Sequence, residues 1–179
     1  MEMTTAYLSL GGNTGDVLTN LKKAIEFIGN TSNIQLQKVS PFYKTSPISP
    51  LPQPDFINAI CSIQTSLSPL DLLKQLQKIE AKLGKVPKPK EAPRPIDIDI
   101  VFYGSTVYND AELTIPHPCW KERLFVLVPL ADLISTVTIE GAKIQQFTIK
   151  DLIQVLTNQP QQLIHLLDDY YAQSSCKKF

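Results

Sequence analysis

The chain has 179 residues, 43% of them hydrophobic and 19% charged, with 17 basic and 17 acidic side chains and a formal net charge of zero. That length suits one domain with a real core, and the charge balance excludes a nucleic-acid binder that works through a broad basic field, though not a local basic patch. Cys61, Cys119 and Cys176 are widely spaced and form no CxxC, and with only His117 and His165 beside them they point to reduced thiols rather than a zinc cluster.

Ala6 to Leu10 is a short apolar strand ending at the turn Gly11-Gly12-Asn13. Val17, Leu21, Ala24, Ile25 and Ile28 recur at helical spacing and predict a first helix over about Asp16 to Ile28. Ile34 to Lys44 alternates like a strand but is interrupted by Pro41, and SPISPLPQPD after it, with four prolines in ten residues, reads as a stiff surface loop. Phe56 to Thr65 is a second strand, with Ile57, Ala59, Cys61 and Ile63 on one face and Phe56, Asn58 and Ile60 on the other.

Ser68-Pro69-Leu70-Asp71 has the chemistry of a helix start: an N-cap serine, proline at the first helical position and an acid in the first turn. Leu73, Leu76, Ile79 and Leu83 predict its buried face, and Gly84 its end. The basic, proline-rich loop KVPKPKEAPRP leads into the strand IDIDIVFYG. A hairpin-like stretch (Ser105 to Ile115), the loop PHPCW, an apolar helix near Phe125 to Ile134 and two further helical patterns around Pro160 complete the chain. The order is β-α-β-β-α-β with C-terminal additions. It predicts an α+β, ferredoxin-like sandwich with helices on one sheet face and the other face free. One domain is expected over residues 1–179, with a core of about 5–135 and a helical C-terminal extension at 147–179.

The unusual strand is the one with two aspartates, a residue poorly suited to sheets. Side chains two apart share a face, so Asp97 and Asp99 stand roughly 6–7 Å apart at the Cα on the side away from Ile96, Ile98, Ile100 and Phe102. A wet acidic face is one reading. The other follows from Val101 and Tyr103 on the same side: a covered, unpaired carboxylate costs several kcal/mol, and divalent cations reconcile two of them at that spacing. Lys85, Lys88, Lys90 and Arg94 precede this strand and suit an anion bridged to such metals; a solvated loop is the plain alternative. The glycine turn lets backbone amides approach a phosphate but matches neither common phosphate-loop pattern. Gln77 and Glu80 lie one helical turn apart on a polar side, and His117 sits between prolines. Phe56 beside Asn58 offers an aromatic plane next to an amide, which suits a flat heterocycle or, equally, ordinary packing.

In order, AYLSLGGN, FYKTSPI, PDFINA, LQKIEAKLGK, RPIDIDIVFYG and TIPHPCWKERLFVLVPL resemble the 6-hydroxymethyl-7,8-dihydropterin pyrophosphokinase family over about residues 5–135. The most specific part is R-x-x-D-[IL]-D-[IL] followed by P-H-x-x-x-x-x-R. The resemblance implies transfer of diphosphate from ATP to the pterin hydroxymethyl group, with release of AMP. It implies two Mg²⁺ ions on Asp97 and Asp99, and a catalytic set of Asp97, Asp99, Arg94 and Lys85. It implies a pterin sandwiched by Phe56 and Phe125, with Asn58 and the Thr45, Ser46, Pro47 and Ile48 backbone on its pyrimidine edge. Arg94, His117 and Arg123 would meet phosphates, and Gln77, Glu80, Ile100 and Thr114 the nucleotide.

This chain departs from the family pattern in its basic loop, where Lys85 and Pro87 replace two arginines and no tryptophan follows, and at Gly12, Glu112 and Pro118. Lysine lacks the bidentate guanidinium fork, which bears on ATP affinity and rate. A non-catalytic pterin- or nucleotide-binding relative is the alternative this loop favours. An RNA-recognition module shares the element order, but the aspartates on its open face would repel phosphate, and its aromatic strand motif is missing. The remaining expectations are a cytoplasmic, monofunctional monomer that takes small-molecule substrates and binds no nucleic acid or membrane. The N-terminus lacks the charged start and apolar stretch of a signal peptide, and no apolar run is long enough to span a bilayer.

Overall fold

The structure, a computed structural model, describes residues 2–48, 52–87, 92–157 and 162–168. Its first strands and helices are β1 (Thr4–Gly12), α1 (Val17–Gly29), β2 (Ile34–Val39), β3 (Phe42–Thr45), β4 (Phe56–Thr65), α2 (Pro69–Lys82) and β5 (Asp97–Tyr103). The short hairpin β6 (Tyr108–Asn109) and β7 (Thr114–Ile115), a 3₁₀ turn at Trp120–Glu122, α3 (Leu124–Ala131), the hairpin β8 (Thr136–Glu140) and β9 (Ile144–Thr148), α4 (Ile149–Thr157) and β10 (Ile164–Asp168) follow.

All neighbours in the main sheet are antiparallel, in the order β10-β3-β4-β1-β5, with β2 lying beside another stretch of β4. β2 and β3 are one interrupted strand. Pro41 has no N–H to give the ladder, and the buried Ser40 closes the gap: its N–H donates to Ile60 O at 2.8 Å and its hydroxyl accepts from Ile60 N at 2.9 Å.

One sheet face carries α1 and α2. Val17, Leu21, Ala24, Ile25 and Ile28 pack with Leu72, Leu76 and Ile79 on Ala6, Leu8, Leu10, Ala59, Cys61, Ile63, Ile98 and Ile100. The Ser68 hydroxyl accepts from Asp71 N at 3.2 Å, capping α2 as its sequence predicts. The buried face of α2 is rotated slightly from the expected one: Leu72, Leu76, Ile79 and Glu80 are buried, while Leu73 and Leu83 are only partly covered.

The other face is not free, as the element order had suggested. Trp120, Leu124, Val126, Leu127, Leu130, Val137, Ile139, Ile149 and Leu156 form a second core on Ile60, Val101 and Phe102. A β-bulge in β5 makes this possible. Leu8 pairs with Ile100 but Tyr7 with Phe102, so Val101 is an extra residue and the alternation reverses there. Phe102 therefore turns onto this second core, edge-on to Trp120 with ring centroids 4.9 Å apart. Tyr103 turns the opposite way, its hydroxyl donating to Leu67 O at 2.7 Å.

The C-terminal extension also differs from its expected all-helical form. α4 is a helix, but the leucines after it belong to β10, which pairs with β3 and extends the sheet at its edge. Free backbone groups on the β3 edge favour a strand there, whatever the spacing of the leucines. Lys88 and Lys90 of the basic loop and residues 169–179 lie outside the described residues.

Candidate active site

The half of the second sheet face that α3 leaves uncovered is a cleft of about 350 Å³. Its floor is cross-strand neighbours: Gly11 of β1 is opposite both Asn58 of β4 and Asp97 of β5, and Ser9 is opposite Asp99. Its walls are Thr45 at the end of β3, Ser46 and Ile48 after it, and Gln53, Phe56, Arg94, His117, Arg123 and Phe125. Two glycines are needed here for close approach. A Cβ on Gly11 would overlap Asn58 Oδ1, and one on Gly12 would strike the Pro95 carbonyl.

At the aromatic end, Asn58 is buried and its Nδ2 donates to Thr45 Oγ1 at 2.6 Å, which fixes the amide across Gly11. The Arg123 guanidinium lies 5.4 Å from the Phe125 ring centroid, a cation–π contact between the apolar and basic parts of the wall. Asn13, buried in the glycine turn, ties the loops together. Its Oδ1 accepts from Arg94 N at 2.9 Å, its N–H donates to Arg94 O at 2.9 Å, and its Nδ2 donates to Gln53 Oε1 at 2.9 Å.

At the acidic end, Asp97 and Asp99 have different surroundings. Asp97 Oδ1 accepts from Lys85 Nζ, and Oδ2 lies 3.0 Å from Arg94 Nη1. The Asp99 carboxylate has no hydrogen bond or ion pair among the described residues. Burial, and then the charges of Asp97 and Glu80, push its carboxyl up to about 6. Glu80 is buried rather than on a solvated face: Oε1 accepts from Ile98 N at 2.6 Å and from Lys85 Nζ at 2.8 Å, while burial raises its pKa. Burial works against the Lys85 ammonium, but its bonds to Asp97 and Glu80 outweigh this and raise its pKa. Burial and then the Arg123 charge lower that of His117, whose Nδ1 accepts from Cys119 N at 3.2 Å. The Nε of Arg94 is buried and unpartnered among the described residues.

Eleven expected site residues thus meet in one cleft lining: Thr45, Ser46, Ile48, Phe56, Asn58, Arg94, Asp97, Asp99, His117, Arg123 and Phe125. Lys85 and Glu80 adjoin it through Asp97 and β5. Four others stand apart from this lining. Pro47 is not part of it; Gln77 is exposed on α2; the Ile100 side chain is in the helix-side core; and Thr114 is exposed on β7, its hydroxyl donating to Asn109 Oδ1 at 3.0 Å. Ser9, Asn13 and Gln53 were missed. Only Asn13 left a signal, as a polar residue ending a glycine turn.

Carboxylates among arginines at one end of a cleft, and aromatic rings beside a buried amide at the other, suit the transfer of a phosphate group between two bound molecules. Transfer of that kind is the chemistry of kinase-type transferases. Residues 7–135 match the family model of 7,8-dihydro-6-hydroxymethylpterin-pyrophosphokinase, and the chain belongs to that family. It is a pyrophosphokinase of folate biosynthesis.

A 2-amino-4-hydroxy-6-hydroxymethyldihydropteridine pyrophosphokinase of Haemophilus influenzae is 40% identical over 142 residues, covering 79% of this chain and 89% of that one. The Synechocystis protein of the same name is 44% identical over 128 residues, 72% of this chain and 65% of that one. Among solved structures, a Plasmodium falciparum HPPK-DHPS matches with a TM-score of 0.68 at 16% identity, over 88% of this chain and 46% of that chain. That last likeness is one of fold. No helix among the described residues is long and apolar enough to cross a membrane.

Proposed function

We propose that this chain transfers diphosphate from ATP to the hydroxymethyl group of 6-hydroxymethyl-7,8-dihydropterin. The pterin hydroxyl oxygen attacks the β-phosphorus and gives up its proton, the new C–O–P linkage forms, the bond between the α,β-bridging oxygen and the β-phosphorus breaks, and AMP leaves. The pterin lies between Phe56 and Phe125, with Asn58 and the Thr45–Ile48 backbone reading its edge. Arg94, His117 and Arg123 hold the phosphates, where the unpartnered Nε of Arg94 gains an acceptor. Gln77, Glu80, Thr114 and the backbone at Ile100 flank the nucleotide, and Lys85 joins Arg94 in balancing phosphate charge.

Two Mg²⁺ ions fit Asp97 and Asp99. Among the described residues no three His, Cys, Asp or Glu side chains gather into a metal site; Asp97 and Asp99 would hold the ions with few protein ligands, which suits magnesium. An unpartnered Asp99 with its carboxyl pushed up to about 6 is a group that a nearby cation would relieve. Magnesium bound there neutralises phosphate charge and aligns the attacking and leaving oxygens. The protein's own contribution is alignment and electrostatics, which dominate phosphoryl-type transfer.

The strand order supports reading the core as ferredoxin-like, with β2 and β3 together as its second strand. We take the chain to act as one domain, as a monomer and in the cytoplasm; sizing by light scattering tests the monomer.

The observation that carries this reading is the single cleft joining Phe56, Asn58 and Phe125 to Asp97, Asp99 and three basic side chains. The test is AMP release by the purified chain given ATP, Mg²⁺ and the dihydropterin. AMP that forms only with all three is expected. Absence of product at high enzyme concentration overturns the reading in favour of a binding protein.

A further inference from the structure

Lys85 occupies a position that its place in a basic loop does not explain. Gly84, at φ +88°, turns the chain out of α2, and Lys85 N then donates to Glu80 O at 3.0 Å. The side chain folds back, so that its ammonium bonds Glu80 Oε1 at 2.8 Å and Asp97 Oδ1 at once. Glu80 is itself fixed, being buried and held by the β5 backbone through Ile98 N at 2.6 Å. The lysine is therefore stationed on Asp97 by a rigid carboxylate beneath it. With Arg94 on Oδ2, both oxygens of Asp97 face protein cations.

We infer that Lys85 is a placeholder cation, held by Glu80 on Oδ1 of Asp97 and displaced when a divalent ion binds to that carboxylate. The inference rests on the assignment of Asp97 as a metal ligand. Without the lysine, Arg94 would be left as the cation paired with Asp97, with the like charges of Asp99 and Glu80 beside it, before any nucleotide arrives. With it, a divalent ion alone must compete with a tethered ammonium. A metal–nucleotide complex brings phosphates that receive the released ammonium, so Lys85 exchanges one anion for another. Glu80 acts here as a positioning residue, keeping that ammonium within a side-chain length of both.

The test is Mn²⁺ binding to the nucleotide-free protein, followed by electron paramagnetic resonance. Lys85→Met is expected to bind Mn²⁺ at least about tenfold more tightly than the unaltered chain, because a cation a few ångströms from the ion has gone. Lys85→Arg, which keeps the charge, is expected to stay near the unaltered value. Unchanged affinity in Lys85→Met, with binding lost in Asp97→Asn, overturns the placeholder and leaves the metal assignment standing. Mn²⁺ binding indifferent to Asp97→Asn overturns both. A second measurement needs no variant: the Lys85 Cε resonance in the NMR spectrum should shift when Mg²⁺ and a non-hydrolysable ATP analogue are added, and a resonance that stays put overturns the proposal.

Discussion

Asp97 and Asp99 lie two residues apart on one strand face, but only Asp97 is paired with cations. For Asp99 the sign of the pH effect follows from a carboxyl raised from 3.8 to about 6. Its neutral form is favoured in the folded state, so its contribution to stability falls as pH rises through that window and stays low above it. Asp99→Asn should therefore raise the unfolding midpoint at pH 7.5, by roughly 2–4 °C per kcal/mol relieved. The difference from the unaltered chain should close near pH 4, as thermal scans at both pH values will check. The same variant, and Asp97→Ala, should lower turnover at least about 100-fold with pterin affinity little changed, a loss confined to the transition state. Unchanged turnover would refute the metal role. The aspartate pair was legible in the sequence because strand periodicity alone puts both on one face. The burial of Glu80 was not legible, since helical spacing places it on a polar side, and it is contacts from outside α2, with β5 and with the returning Lys85 side chain, that meet its carboxylate.

At the scale of elements, the site depends on pieces far from it in sequence. Gln162, just before β10, accepts from Leu124 N at 2.7 Å and donates to Glu122 O at 2.8 Å, and so holds the start of α3 beside Arg123 and Phe125. Leu163 N donates to Ser46 Oγ and Leu163 O accepts from Ser46 N, both at 3.0 Å, which tethers the loop after β3. Gln162→Ala should lower stability by about 1–2 kcal/mol in denaturant unfolding. It should also raise KM for the pterin more than it lowers kcat, because it loosens the cleft wall and not the phosphate end. A variant with unaltered KM would detach β10 from the site. Ser40→Ala tests the interrupted strand. It leaves Ile60 N without its acceptor in a buried place, and a loss of about 1–3 kcal/mol is expected. The helix starts, the strand Phe56–Thr65 and the break at Pro41 were readable from local chemistry. The turn of the last leucines into a strand was not, because pairing with the free edge of β3 decided it.

For the molecule as a whole, one sheet separates two cores, and the cleft is what remains of the second face after α3 and Trp120 have covered the rest. A ligand bridging its two ends ties β1, β4 and β5 to the loops around Arg94 and Arg123. A non-hydrolysable ATP analogue at about 100 times its Kd should stabilise the fold by about 2.7 kcal/mol. A chelator should abolish that gain while leaving the free protein unaffected, a contrast that differential scanning calorimetry resolves. The sequence by itself determined the alternation of β5 as far as Ile100, the two helices on one face, the glycine turn and the family motifs, because each follows from backbone periodicity or from residue types a few positions apart. Tertiary structure alone decided the bulge at Val101, the covering of the second face, the burial of Glu80 and the bond from Lys85 to Asp97. Each of those depends on which surfaces meet across the sheet, and no spacing along the chain encodes that.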